Sequence, residues 1–332
     1  MTTYRGIKGL HIQSVSSDNA TVQLGDIWYN STLGKLRVGQ TTAAAWSTGG
    51  NLNTAGEAIS GAGTQTAGLC IGRYPPFLAL CETYDGSSWT ESAALNQGTS
   101  HAGGCGTQTA ALKNGGYTAL DPGIVALSEE WNGTSWTEGS NMNTARYNPR
   151  NGGTQTAAVT IGGHYGPPGK SNLAEEYNGA SWTAGGDLGA ARYAAHVFGT
   201  QTAAACSGGF GVPGGVVIDE TEEYDGSSWS EVTNAPRNHA NGTAWGTQTD
   251  GITVCGSAGP PQSTLTEECM TYDGTNWSTT TDYPATLRAM SAAQGAPTSA
   301  GLIFGGGLPA PLVNTTNEFT GAHAAAATVT SS

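Results

Sequence analysis

Gly-Thr-Gln-Thr begins at Gly63, Gly106, Gly153, Gly199 and Gly246, at steps of 43, 47, 46 and 47 residues, with a decayed copy at Gly295-Ala296-Pro297-Thr298. A period of this size constrains the chain more than any local propensity does, because each copy has to be one supersecondary unit that buries its apolar face against its neighbours. A second marker keeps the same step. An aromatic residue, then Asp or Asn, Gly and two short residues lead to Trp89, Trp136, Trp182, Trp229 and Trp277.

Each unit reads as four short strands, most clearly from Arg192 to Val232. Arg192 to Phe198 and Thr202 to Gly209 flank the first turn; Glu220 to Tyr224 and Trp229 to Val232 flank Asp225-Gly226. Asp-Gly or Asn-Gly between apolar runs predicts a type I′ hairpin, whose two central residues both take positive φ. Asp85, Asn132, Asn178, Asp225 and Asp273 also have the chemistry of calcium ligands, but turn geometry accounts for all five. The 51 glycines serve such turns, since no Gly-X-Y period is present.

Side chains grow along each unit: Ala, Gly, Thr and Ser fill the first two strands, and Tyr84, Trp131, Tyr177, Tyr224, Tyr272, Phe319 and the tryptophans fall in the last two. Small residues suit sheets converging on an axis and large ones the widening gaps between them. Trp46, in Ala45-Trp46-Ser47-Thr48-Gly49, matches the outer-strand register of Trp136 and has no inner strands before it, whereas the last unit ends at Phe319-Thr320-Gly321 without a tryptophan. The expected fold is therefore all-β: a six-bladed β-propeller over residues 41–332, closed by N- and C-terminal strands in a shared blade so that no edge is left open. A small β-hairpin segment in residues 1–40 precedes it.

The double Gly closing strand two (Gly115-Gly116, Gly162-Gly163, Gly208-Gly209, Gly305-Gly306), the tyrosine beyond it, the Trp five residues later and the opening Arg146, Arg192, Arg237 and Arg288 resemble the kelch repeat. Unit one departs with Gly72-Arg73, unit five has a single Gly256, and units one and two lack the opening Arg. The hairpin Gly25-Asp26-Ile27-Trp28-Tyr29-Asn30 resembles segments of tailed-bacteriophage fibre and baseplate-associated proteins, and the near-identical repeats resemble virion proteins of marine phages. These resemblances imply a structural protein of the virion.

Charge restricts the partners. Twelve Lys plus Arg against 25 Asp plus Glu give −13, which repels nucleic acid and anionic membrane, while residues 1–40 carry a small basic excess suited to an acidic neighbour. Residues 1–40 are accordingly expected to hold other virion proteins, with the chain oligomeric in the particle. The opening Met1-Thr2-Thr3-Tyr4-Arg5-Gly6-Ile7-Lys8 lacks a secretory pattern, so assembly in the host cytoplasm is expected. Cys70, Cys81, Cys105, Cys206, Cys255 and Cys269 form no C-x-x-C pair and read as buried thiols, although Cys70 with Cys81 and Cys255 with Cys269 sit where one hairpin would bring them near each other.

Three enzymatic readings compete with structural ones. A galactose-oxidase-like copper site needs converging histidines, but His101, His196 and His239 precede their turn glycines by different spacings. A sialidase-like clamp would use Arg146, Arg192, Arg237 and Arg288, yet these repeat together with Glu129-Glu130, Glu175-Glu176, Glu222-Glu223 and Glu267-Glu268, which predicts inter-blade ion pairs. The same repetition argues against glycosidase carboxylates. No catalytic residue, cofactor or metal is expected.

What varies between units is the loop joining strands two and three. These loops contain Pro and carry Tyr74, Phe77, Leu78, Ile124, Val125, His164, Tyr165, Phe210, Val216, Val217 and Leu308 on one face. The expected function is non-enzymatic: a virion component (tail fibre, baseplate or capsid decoration) whose loop face binds a host-surface glycan, a receptor or another subunit. A free-standing carbohydrate-binding propeller is the alternative.

Overall fold

The computed structural model describes residues 12–19, 21–119, 123–166, 169–212, 214–259, 264–307 and 312–329. The opening residues and Leu308 lie outside them. The chain divides into two compact units, one of residues up to Ala45 together with the segment from Gly321, the other spanning Trp46–Thr320.

In the first unit the hairpin forms where expected. Ile27–Asn30 pairs antiparallel with Lys35–Thr42, in register Ile27 with Val38 and Asn30 with Lys35. Gln13–Val15 joins parallel to Ile27–Asn30, and His323–Thr328 joins antiparallel to Lys35–Thr42. The Arg37 guanidinium ties this sheet to Asp18 (2.7 Å), whose other oxygen accepts from Asn30 Nδ2 and Trp28 Nε1. These hydrogen bonds, Asn30 foremost, hold the Asp18 carboxyl below its usual range. The boundary of the repeat region is thus corrected at its C-terminal end: the Ala-rich segment after Thr320 pairs with the N-terminal strand. That pairing covers the edge of Lys35–Thr42, and Ala324–Ala327 bring no large side chain of the kind every repeat uses.

The second unit is built of four-stranded antiparallel sheets that follow the repeats. Unit one comprises Ser60–Thr64, Ala67–Arg73, Leu78–Tyr84 and Trp89–Ser92; unit four comprises His196–Thr200, Ala203–Ser207, Thr221–Tyr224 and Trp229–Glu231. In the sixth, Ser291–Ala292, Ala300–Phe304 and Thr316–Thr320 are completed by Ala45–Thr48 on the outer edge. Trp46 packs 4.8 Å from Phe319, as Tyr84 packs 5.0 Å from Trp89 and Tyr177 packs 4.9 Å from Trp182.

The two turns of each unit have distinct physics. At Gly-Thr-Gln-Thr the glycine takes positive φ (98° at Gly63), and an added Cβ there would lie 2.1 Å from the Ala67 carbonyl oxygen, so only glycine fits. The Asp-Gly turn differs from the type I′ expectation. Tyr84 pairs with Trp89, which leaves a four-residue loop in which only Gly86 has positive φ. Asp85 instead accepts the backbone N–H groups of Ser87 and Ser88 (2.8 Å each), and these bonds pull its pKa down to about 2.

Neighbouring units are stitched by the repeat residues. Gln108 donates to the carbonyls of Gly68 and Tyr84 in the preceding unit, Gln155 to Ala111 and Trp131, Gln201 to Ala158 and Tyr177, and Gln248 to Ala204 and Tyr224. Gln65 of unit one donates to Gly301 and Phe319 of unit six. The outward glutamate of the third strand accepts from the next unit's tyrosine (Tyr272 to Glu223 at 2.9 Å, Tyr84 to Glu318 at 2.7 Å). Glu175 and Glu222, the first members of their acidic pairs, bind the arginine of their own unit.

At the start of the inner strands, Ala58, His101, Asn148, Ala194, Asn241 and Ala289 all take left-handed φ between 52° and 59°. Their backbones form a circle of hydrogen bonds: His101 donates to Ala58, Asn148 to His101, Ala194 to Asn148, Asn241 to Ala194, Ala289 to Asn241 and Ala58 back to Ala289, at 2.7–3.4 Å.

Trp182 illustrates what packing between units contributes. It is 6% exposed, stacks on Tyr177 and donates Nε1 to the Ser140 carbonyl of the preceding unit (2.9 Å). Trp182→Ala is expected to lower stability by ~3–5 kcal/mol, read as a fall in the denaturation midpoint; a loss under ~1 kcal/mol would contradict this packing role.

Candidate ligand-binding face

The charged residues weighed as catalytic are built into the scaffold. Arg146 is fully buried and donates to Glu175 (2.9 Å) and to the carbonyls of Gly162 and Leu173; Arg192 bonds Glu222 in the same way. The pairing runs within one unit rather than between blades, because the arginine enters its unit beside that unit's own third strand. The free carboxylate oxygen then accepts the linker from the previous unit: Glu175 takes the N–H and side-chain amide of Asn143, and Glu129 takes those of Asn96. Unit one reaches the same end by another route. Arg73, from the irregular Gly72-Arg73, bonds Glu82 (2.6 Å), and its stem lies where a Cβ on Gly56, the missing opening position, would point. Arg237 departs, pairing at the surface with Glu268.

The histidine reading needs one correction. His196 and His239 do meet, with ring centroids 4.6 Å apart, because the glycine notch at Gly208 admits His239. Both are buried, and burial drives the His239 imidazole down to about 4. All six cysteines are buried free thiols, with burial raising the Cys81 thiol to about 11.

The loops joining strands two and three begin by pairing with the segment that enters their own unit, as at Glu57 with Tyr74, Ser100 with Tyr117 and Tyr147 with His164. The Arg192–Tyr193 and Phe210–Gly211 strands make the same pairing in unit four. This anchors aromatic side chains from successive units side by side. Ring centroids follow one another from Tyr74 to Phe77 (5.1 Å), Tyr117 (5.6 Å), Tyr147 (6.0 Å), His164 (5.0 Å), Tyr193 (5.7 Å) and Phe210 (5.0 Å).

Along this belt opens a cleft of about 600 Å³ lined by Tyr117, Ile124, Ala145, Tyr147, His164, Tyr165 and Gly166. Tyr165 is half exposed and Tyr117 nearly so. His164 Nδ1 accepts the Gly166 N–H (3.0 Å), which assigns the ring proton to Nε2. Burial, helped by the charge of Lys170, lowers the His164 pKa, so the ring is neutral at pH 7; burial raises that of Tyr147. The described lining is aromatic, uncharged and without a carboxylate.

Of the loop residues singled out in the sequence, Ile124, His164 and Tyr165 converge on this cleft, while Tyr74 and Phe77 continue its belt. Leu78 and Val125 are half-buried, and Val216 is exposed in unit four. Phe210 and Val217 are corrected: both are buried, in a cluster with Ala194 and Ala240, because the unit-four loop folds back on its own entering strand. Tyr147 and Tyr193 were missed. Their signal is the dipeptide Arg146-Tyr147 and Arg192-Tyr193, in which the arginine drew the attention and its exposed-side neighbour carries the surface.

No family model and no curated protein matches the chain. Among solved structures it is similar to YjhT, with a TM-score of 0.68 at 13% identity, covering 84% of this chain and 99% of that one. That likeness and the antiparallel sheets together establish the fold as a β-propeller.

Proposed function

We propose that the chain is a non-enzymatic attachment component of a tailed-phage virion, in which a closed six-bladed kelch-like ring presents the aromatic cleft to a neutral host-surface glycan. Closure is supported by the circle of backbone bonds through Ala58, His101, Asn148, Ala194, Asn241 and Ala289, and by the bonds of Gln65 and Tyr84 to the sixth unit. The phage setting rests on the resemblance of the Gly25–Asn30 hairpin and of the repeats, with residues 1–40 serving as the attachment to other virion proteins.

The cleft itself carries the binding reading. Flat rings spaced about one sugar apart suit stacking on pyranose faces, a His164 Nε2 donor and tyrosine hydroxyls suit sugar hydroxyls, and the aromatic character of the described lining favours recognition. An array of neutral glycans at pH 7 tests this. The unaltered protein is expected to retain a subset of them, and Tyr147→Ala to lose ~10-fold or more of that affinity. Equal binding by Tyr147→Ala, or release of reducing sugar on incubation, would overturn the reading.

A further inference from the structure

Inside the circle of left-handed residues lies an internal cavity with room for about one water-sized particle, about 10 Å³ for its centre, bordered by Ala58, Ile59, His101, Ala102, Asn148, Arg150, Asn241, Ala289 and Met290. These residues come from five different units, which places the cavity at the centre of the circle. Arg150 is the charged member. Its Nη2 makes a long bond to the Gly242 carbonyl (3.4 Å), its Nε is buried without a hydrogen-bond partner among the described residues, and no described carboxylate forms an ion pair with it. The contrast within the molecule is sharp, since buried Arg73, Arg146 and Arg192 each hold a glutamate at ion-pair distance.

Arg150 is half-buried, and its guanidinium cannot escape desolvation by losing its proton as a lysine does, so its inward side favours a counter-charge. The described residues bordering the cavity add no negative charge. His101 and His196, the titratable groups that sense Arg150, are held neutral by burial and by that same positive charge, His101 down to about 4. Asn148 and Asn241 add uncharged polar side chains to the border, and Ala58, Ile59, Ala289 and Met290 keep the local dielectric low.

We propose that this axial cavity is a binding site for a monatomic anion of the halide class, with Arg150 as its counter-charge. The narrowness of the cavity favours a small ligand: it has room for the centre of about one water-sized particle, and chloride is little larger than water. The site shares no lining residue with the aromatic cleft, although His101 at its border packs on Tyr147 of the cleft (6.1 Å). Anion binding to the folded chain alone stabilises it by mass action, so the anion acts as a removable pin at the point where the units meet.

The test is a thermal-denaturation series at fixed ionic strength in which sodium gluconate is replaced by sodium chloride or bromide. The unaltered protein is expected to gain about 2–4 °C and saturate, while Arg150→Met shows no halide-dependent gain. Equal responses in the two proteins, or none in either, overturn the proposal. Because Arg150→Met risks a folding defect, bromide-soaked crystals of the unaltered chain provide a second measurement. An anomalous peak beside the Arg150 guanidinium supports the site, and its absence at saturating bromide overturns it.

Discussion

Acidification from pH 7 towards pH 4 is expected to unfold the repeat unit, even though the chain carries a large excess of acids. The cause is the buried histidines. Burial first, and then the Arg150 charge, lowers His101 to about 4; burial lowers His239 to about 4 and His196 well below its usual value, the last also through His239 and Arg150. A base with a depressed folded pKa binds its proton later in the folded state than in the unfolded one. Its contribution is fully present above about pH 6.5 and is lost as pH falls, because the unfolded chain takes up protons first. At ~1.4 kcal/mol per pKa unit, His101 and His239 each withdraw roughly 3 kcal/mol by pH 4, against a total stability of about 5–15 kcal/mol for a folded domain. Urea denaturation followed by tryptophan fluorescence at pH 7, 6, 5 and 4 measures the loss. His239→Gln is expected to flatten the slope, and a stability unchanged between pH 7 and pH 4.5 would refute the mechanism.

Those histidines mark the limit of what the repeats make legible. Residues that recur in register could be located from sequence, because recurrence itself reports a shared place in each unit: the tryptophans stack on the preceding aromatic, and the glycine of each Gly-Thr-Gln-Thr turn has positive φ. The function of a recurring residue was less visible. The glutamines look like ordinary turn residues, and only the three-dimensional step between units shows them donating to two carbonyls of the preceding sheet. The Arg and Glu pairs were visible as partners, whereas the choice between pairing within a unit and pairing across units depends on where the entering segment lies.

Residues that break the repeat were the hardest to place. Arg73 restores through another strand the ion pair that Gly56 omits, and His239 enters a notch prepared by Gly208; neither exchange has a local sequence signal. For the candidate cleft, the variable loops named in the sequence include Ile124, His164 and Tyr165, which line it. Hydrophobicity alone could not separate the exposed Val216 from the buried Val217 next to it, since adjacent residues in an extended segment face opposite ways.

Deleting residues 1–40 and deleting residues 1–48 are expected to have opposite consequences for the repeat unit, although the two proteins differ by eight residues. The shorter deletion removes the partner strands of the N-terminal sheet but retains Ala45–Thr48 on the outer edge of the sixth sheet. Trp46 then still packs on Phe319 and Tyr283 and donates Nε1 to the Thr281 carbonyl of the fifth unit, the reach that Trp182 makes to the second. The longer deletion strips that strand. It leaves Thr316–Thr320 as an unpaired edge, uncovers Phe319 and Trp245, and removes the half-buried Trp46 that packs on both. A cooperative melt close to that of the full chain is expected for the shorter form, and a strongly lowered melt with concentration-dependent aggregation for the longer. If both forms melted alike, Ala45–Thr48 would be dispensable, and joining of the first and last units through it would have to be abandoned. The comparison also tests the proposed attachment role, which predicts that the shorter form keeps the proposed glycan binding and fails to enter particles.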